Sequence, residues 1–331
     1  MVDARVSSKI SKLGFVAAVL VVMIHADVQE GCPESVRMVK DLVVGGVCGL
    51  AVPFFFAVSG YLLAGHVGED GWWEGALKKR IWSLLVPYLI WNVVFFVADI
   101  PRSGASVFGF ATCLGLNPFE MPGVYPLWFV RSLMILVVIS PVLVRLVRRQ
   151  GWRFCALLWV VGALIGLLMD KESGWTKSVT GLIPLAGGIF YFCAGVLLRV
   201  GNRLPCVSPG WAWSSLAGGL ALTFAGVGMR WSGCLGGADM MCRIGVPLAL
   251  VGVWVLCPAR PWPKWLVSCS FPIFALHVFA LGFFNVFVVR EVNAVEVLFA
   301  KCAVAALLPM AFALLIRRFA PPVARLLFGG R

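Results

Sequence analysis

The chain has 331 residues, 61% of them hydrophobic, with a mean hydropathy of +0.95 and only 13% charged residues. No soluble domain of this size covers so much apolar surface with so little charge, so lipid must do part of the covering. The formal charge of +13 would suit nucleic acid, but the basic residues flank apolar runs instead of forming one patch. Membrane topology accounts for them, and a nucleic-acid partner is excluded.

Ten apolar runs are long enough to cross a bilayer, near 10–28, 42–65, 81–100, 127–147, 152–169, 181–200, 210–229, 243–257, 266–289 and 294–316. They are too long and too evenly apolar for barrel strands. The predicted fold is therefore all-α, a polytopic bundle of about ten transmembrane helices, read as one integral membrane domain over 1–331. The first run is long and lacks a small-residue cleavage site at its end, so it reads as a retained helix. With the N-terminus in the cytoplasm, 18 Lys and Arg residues fall in inside segments and 8 in outside loops. That bias predicts both termini inside.

In chain order, the first run, KLGFVAAVLVVMIHAD (12–27), carries His25 near its outer end. An ionisable residue in a span is costly and faces a protein interior or a watery cavity, and imidazole is suited to general-base work near neutrality. The alternative is a packed histidine bonded to a carbonyl. The second run, GLAVPFFFAVSGYLLAG (49–65), contains Pro53 and Ser59; Ser59 serves either close helix packing or a polar contact. No GxSxG elbow surrounds it. His66 follows in a loop and is expected to be solvated. Lys78, Lys79 and Arg80 form a basic cluster, either a topology anchor or a site for the phosphates of a cytoplasmic donor. Asn92 in PYLIWN is polar within the third run.

Segment 101–126 is rich in Pro and Gly and is expected to be irregular. Arg131 follows PLWFV at the start of the fourth run; it either snorkels to headgroups or meets an anionic group. His277 in FPIFALHVF is the second intramembrane histidine, placed nearer mid-membrane. Lys301 is expected to pair with Glu296 or to snorkel. The 11 cysteines show no CxxC pair and no zinc spacing, so no metal site is expected. Cys32, Cys113, Cys234 and Cys242 fall in outside loops, where disulfides are permitted.

Five of these pieces, in this order, resemble the integral membrane acyltransferase 3 family: VLVVMIHA (19–26 region), VPFFFAVSGYLL (52–63), KKRIWSLLVPYLIWN (78–92), PLWFVRSLMILVVISPVL (126–143) and FPIFALHVF (271–279). The resemblance implies a ten-helix core, acyl-CoA (acetyl-CoA) as a cosubstrate with no bound cofactor, and a carbohydrate or lipid-linked glycan acceptor. It implies residence in the cell (inner or plasma) membrane, in contact with membrane lipid. It makes His25 the catalytic residue. Arg131 matches an arginine found after LWF in a subset of relatives; with it, His277, Asn92 and Ser59, polar residues within the runs, are the candidates for binding substrate, and Lys78, Lys79 and Arg80 for holding the donor. The chain departs from the family at two places: Gly14 stands where many relatives have an Arg eleven residues before the histidine, and Ser83 where a second Arg often occurs. A transporter or flippase of a polar or lipid-linked solute, using the same His and Arg, is the competing class. A non-catalytic membrane scaffold is a third.

Overall fold

The computed structural model describes residues 3–28, 31–117, 120–168, 183–287 and 294–330. The helices are α1 (Ala4–His25), α2 (Glu34–Gly46), α3 (Ala51–Ala64), α4 (Trp72–Arg80), α5 (Val86–Ser103), α6 (Val107–Cys113), α7 (Trp128–Val138), α8 (Ser140–Gln150), α9 (Trp152–Leu168), α10 (Ile183–Val200), α11 (Pro209–Trp231), α12 (Leu235–Leu256), α13 (Lys264–Val267), α14 (Ser270–Phe287), α15 (Val295–Phe319) and α16 (Pro321–Phe328). Among the described residues, seven helical segments are long and apolar enough to cross a membrane. The bent pair over 125–150 makes an eighth, and two shorter apolar helices, Trp152–Leu167 and Leu185–Val200, lie between it and α11. Together these follow the order of the ten predicted runs. The chain is a multi-pass membrane protein.

The fourth run is not straight. α7 and α8 meet at 67°, and the cause is Pro141 in the first turn of α8. Proline has no N–H to give and its ring crowds the carbonyl four residues back, that of Val137. The Ser140 hydroxyl takes that carbonyl instead, donating to Val137 O at 2.7 Å. Segment 101–126 is more ordered than expected. α5 runs on to Ser103, and α6 follows because the Ser106 side chain accepts from Gly109 N at 2.9 Å and caps it.

The chain divides into two compact units, residues 1–55 with 203–315, and residues 56–202 with 316–331. In the first, α11 and α12 pair through small residues. A methyl group added at Gly219 would lie 2.6 Å from the Gly245 carbonyl oxygen, and one at Gly252 would lie 2.7 Å from that of Ala212. Only glycine lets helix backbones approach so closely. Thr223 Oγ1 donates to the last carbonyl of α2, Gly46 O, at 2.7 Å. The basic residues of α1 reach the far end of α12. Lys9 Nζ donates to Trp254 O at 2.8 Å and buried Lys12 to the Pro258 carbonyl, which satisfies carbonyls that the helix end leaves open. α1 and α14 then pack along an apolar cluster that includes Ala18, Val22, Ala26, Cys269, Ile273 and Ala280.

In the second unit α3 lies against α10 in the same way. A methyl at Gly195 would sit 1.9 Å from the Ala57 carbonyl oxygen, and one at Gly60 would sit 2.0 Å from that of Phe192. Ser59, half-buried next to Gly60, belongs to this small-residue contact. α16 returns to α5, where Trp91 Nε1 donates to Leu327 O at 3.1 Å.

Candidate active site

α1 ends at His25. Its carbonyl accepts from Asp27 N at 2.9 Å, so the chain turns sharply just past the ring. Ala26 is fully buried beneath it. The His25 ring lies 5.2 Å, centroid to centroid, from that of His277 on α14. The two intramembrane histidines are neighbours, although the sequence places them at different depths.

His277 is fully buried. Its Nδ1 faces two carbonyl oxygens of its own helix, Phe274 O at 2.8 Å and Ile273 O at 3.2 Å. Its Nε2 is buried with no hydrogen-bond partner.

Two lysines surround the turn after His25. Lys40 of α2 lies 3.2 Å from the exposed Asp27 carboxylate. Lys301 of α15 is only 2% exposed and donates not to Glu296 but to the Asp27 main-chain carbonyl, at 2.8 Å. An ammonium buried against a neutral carbonyl, with Lys40 facing the one carboxylate there, leaves positive charge in surplus two residues from His25. Sequence reasoning did not place Lys301 in the site. The available signal was a lysine inside an apolar run, with a nearer acidic residue as the obvious partner.

Arg131 and Asn92 lie in the second unit and share one task there. Arg131 Nη1 donates to Gly115 O at 3.4 Å, Asn117 O at 3.2 Å and Glu120 O at 2.7 Å. Asn92 is fully buried; its Nδ2 donates to Tyr88 O at 2.9 Å and its Oδ1 accepts from Val124 N at 3.0 Å. Tyr88 donates its hydroxyl to Leu114 O at 3.0 Å. These three side chains fasten the segment between α6 and α7 from within. Gly115 adopts φ +70°, and a methyl there would meet the Tyr88 hydroxyl at 2.3 Å, so the turn tolerates only glycine.

Lys78, Lys79 and Arg80 form the last turn of α4, with the two lysines exposed and Arg80 half-buried. Cations at a helix C-terminus suit its dipole. A π-helical turn, Ile81–Leu85, follows at once. It holds Ser83, whose Oγ is buried without a partner; Gly329, at φ +67°, packs so close that a methyl there would lie 2.3 Å from the Ser83 carbonyl oxygen. His66 is exposed as expected and lies 3.2 Å from Glu69. At the Gly14 position a methyl would meet only Phe55, at 3.9 Å. Among the described residues, the eleven cysteines are all free thiols. Among the described residues no cluster of metal-ligating side chains occurs.

A multi-pass helical membrane protein with a histidine pair inside one helical unit is the class that these features define. The family model described as "Acyltransferase domain" (Acyl_transf_3) matches residues 15–316, and the chain belongs to that family. It is an acyltransferase. Over 275 residues it is 25% identical to the succinoglycan biosynthesis protein ExoH of Rhizobium meliloti (strain 1021), which covers 77% of this chain and 71% of that one. No solved structure matches it.

Proposed function

We propose that the protein transfers an acyl group, acetyl in the simplest case, from cytoplasmic acyl-CoA to a hydroxyl of a cell-surface or lipid-linked carbohydrate, in the cell (inner or plasma) membrane. The observation that carries this reading is the histidine pair formed by His25 at the end of α1 and His277 of α14, with rings 5.2 Å apart beside an apolar cluster that includes Ala26 and Ile273. The relative's name assigns it to succinoglycan biosynthesis, which supports a carbohydrate acceptor here.

In the proposed mechanism His25 removes the proton from the acceptor hydroxyl as its oxygen attacks the thioester carbonyl. The C–O bond forms and the carbonyl electrons move to oxygen. Lys301 supplies positive charge toward that developing oxyanion, where low dielectric strengthens it. Collapse breaks the C–S bond, and the departing thiolate takes the proton from His25. Lys78, Lys79 and Arg80 hold the donor's phosphates. Arg131 and Asn92 act on substrate through the segment that they fasten, and Ser59 through helix packing.

Mass spectrometry of surface glycans and lipid-linked precursors tests this in cells with wild type, with His25→Ala, and without the gene. A mass increment equal to an acyl group, present only with wild type, is expected. No difference among the three, with the protein present in the membrane, refutes the transfer. Solute flux without covalent change would then assign the chain to transport.

A further inference from the structure

We propose that the cleft where α11 ends against α2 is a sugar-binding subsite, which holds a neutral pyranose unit of the acceptor chain while a hydroxyl elsewhere on that chain reaches the histidine pair. This subsite deepens the carbohydrate-acceptor reading and rests on it.

Two helices of the first unit build the cleft. α2 and α11 run antiparallel and meet at small residues: a methyl group at Gly46 would run into the Phe224 ring, and one at Gly45 into Val227. Thr223 ties the same stretch to the Gly46 carbonyl. One turn farther on, Trp231 Nε1 donates to Asp41 Oδ2 at 3.1 Å. α11 stops at Trp231, whereas α2 extends back to Glu34. The space left there is an open cleft of about 530 Å³, lined by Cys32, Glu34, Arg37, Met38, Asp41 and Trp231. Small-molecule clefts span roughly 300–1,000 Å³, so a short saccharide fits. Glu34, Arg37, Met38 and Asp41 follow the helical i, i+3, i+4, i+7 spacing and form one face of α2.

The chemistry of the lining selects the ligand. Trp231 is 47% exposed and Met38 48%. An indole of an interfacial belt gives its N–H to headgroups and water; here Asp41 takes that N–H and fixes the ring. A fixed, open aromatic surface suits the C–H face of a sugar ring, and the thioether adds adaptable apolar contact. Around this surface stand two carboxylates and a guanidinium. Among the described residues, no hydrogen bond or ion pair engages the side chains of Glu34 and Arg37, so their acceptors and donors are open to a ligand. A phosphate would meet two carboxylates, and an ammonium would meet Arg37. An uncharged ligand rich in hydroxyls satisfies all three, since each hydroxyl both donates and accepts.

The cleft connects to the histidines through α2. Lys40 precedes Asp41, about 100° round the helix, and lies 3.2 Å from the carboxylate of Asp27, two residues past His25. One face of α2 thus lines the cleft while its flank borders the turn that ends α1. A glycan held on Trp231 is anchored beside the site of transfer, and its binding energy is available to orient the reacting hydroxyl.

The test uses the full chain in phosphatidylcholine nanodiscs. The probe is a set of de-O-acylated oligosaccharides released by mild acid from the surface glycan of the source cells. Saturation-transfer difference NMR reads binding with no acyl donor present. In wild type, transfer is expected to be strongest at ring C–H protons, and empty nanodiscs should give none. Trp231→Leu is expected to raise Kd about 10-fold or more. That change also frees Asp41, so Glu34→Gln and Arg37→Gln supply an independent arm. Both side chains are exposed, the melting midpoint should hold, and Arg37→Gln should raise Kd about 10-fold. No transfer from wild type, or an unchanged Kd in all three variants, overturns the proposal. Binding that is lost at high salt would assign the cleft to a charged group and overturn the neutral pyranose.

Acyl mass on the glycan keeps the two readings apart. In turnover the same variants should raise KM for the oligosaccharide about 10-fold, with kcat changed less than about 2-fold. If the glycan is acylated and all three variants leave that KM unchanged, the cleft assignment fails and acyl transfer stands. If wild type binds the oligosaccharide through Trp231 but never acylates it, acyl transfer fails and the sugar site stands.

Discussion

Lys301→Met separates a catalytic charge from a stabilising one. Lys301 is 2% exposed, and its ammonium is bonded to a neutral main-chain carbonyl at 2.8 Å. A charge within a span costs ~2.5–3.5 kcal/mol, and a hydrogen bond from a charged donor recovers ~1.5–3 kcal/mol. Methionine removes both effects and keeps much of the length and volume. The difference is therefore small, within about 1–2 kcal/mol, and leans toward a more stable protein. Activity should move the other way. Removing a group that stabilises a developing oxyanion costs about 10²–10³ in kcat. Thermal unfolding of the purified protein, paired with acyl transfer per folded molecule, measures both. Lys301→Arg, which keeps the charge, should retain more activity than Met. A large loss of stability with full activity per folded molecule would refute the reasoning, because the lysine would then be structural.

Further outcomes follow from the packing. Gly195→Ala sets a methyl 1.9 Å from the Ala57 carbonyl oxygen, and no rotamer relieves a contact between backbones. Overpacking of this kind costs about 1–3 kcal/mol, so the melting midpoint should fall; an unchanged midpoint would contradict the α3–α10 contact. Asn92→Ala leaves Val124 N without its acceptor in a buried place, about 1–3 kcal/mol, and should show in both melting and expression. Arg131→Ala should expose the segment between α6 and α7 to protease while α7 itself stays protected, and equal cleavage in wild type would argue against the fastening role. Ser83→Ala removes a hydroxyl that is buried without a partner, so melting should hold or rise; a fall of several degrees would reveal a bond to that oxygen.

The order of the membrane segments was legible because lipid leaves the chain little choice. A backbone in hydrocarbon must satisfy its own hydrogen bonds over about twenty residues. The break at Ile139 was written in the adjacent Ser140 and Pro141, but an apolar run averages over such a pair. Helix α6 was hidden for a similar reason: one capping serine outweighs the glycines around it. The site was less legible. His25 stood out as an ionisable residue in an apolar run, yet nothing in linear spacing shows that His277 lies beside it. Arg131 drew attention as a charge in a span. Its guanidinium bonds loop carbonyls, which carry no side-chain signature. Linear sequence offers Lys301 a pairing with Glu296 or a snorkelling path, whereas the fold gives it the Asp27 carbonyl just past α1.

The linkage of α1 to the last third of the chain has a consequence for how the molecule is made. Lys12 meets the Pro258 carbonyl across 246 positions, and Lys301 meets Asp27 across 274. The polar groups of α1 thus find their places only once α12 and α15 have been made. Contacts so distant in sequence form late and slowly, and α1 must sit in the bilayer meanwhile with a histidine and two lysines unaccommodated. Stalled or truncated products hold that helix without its partners and have no histidine pair.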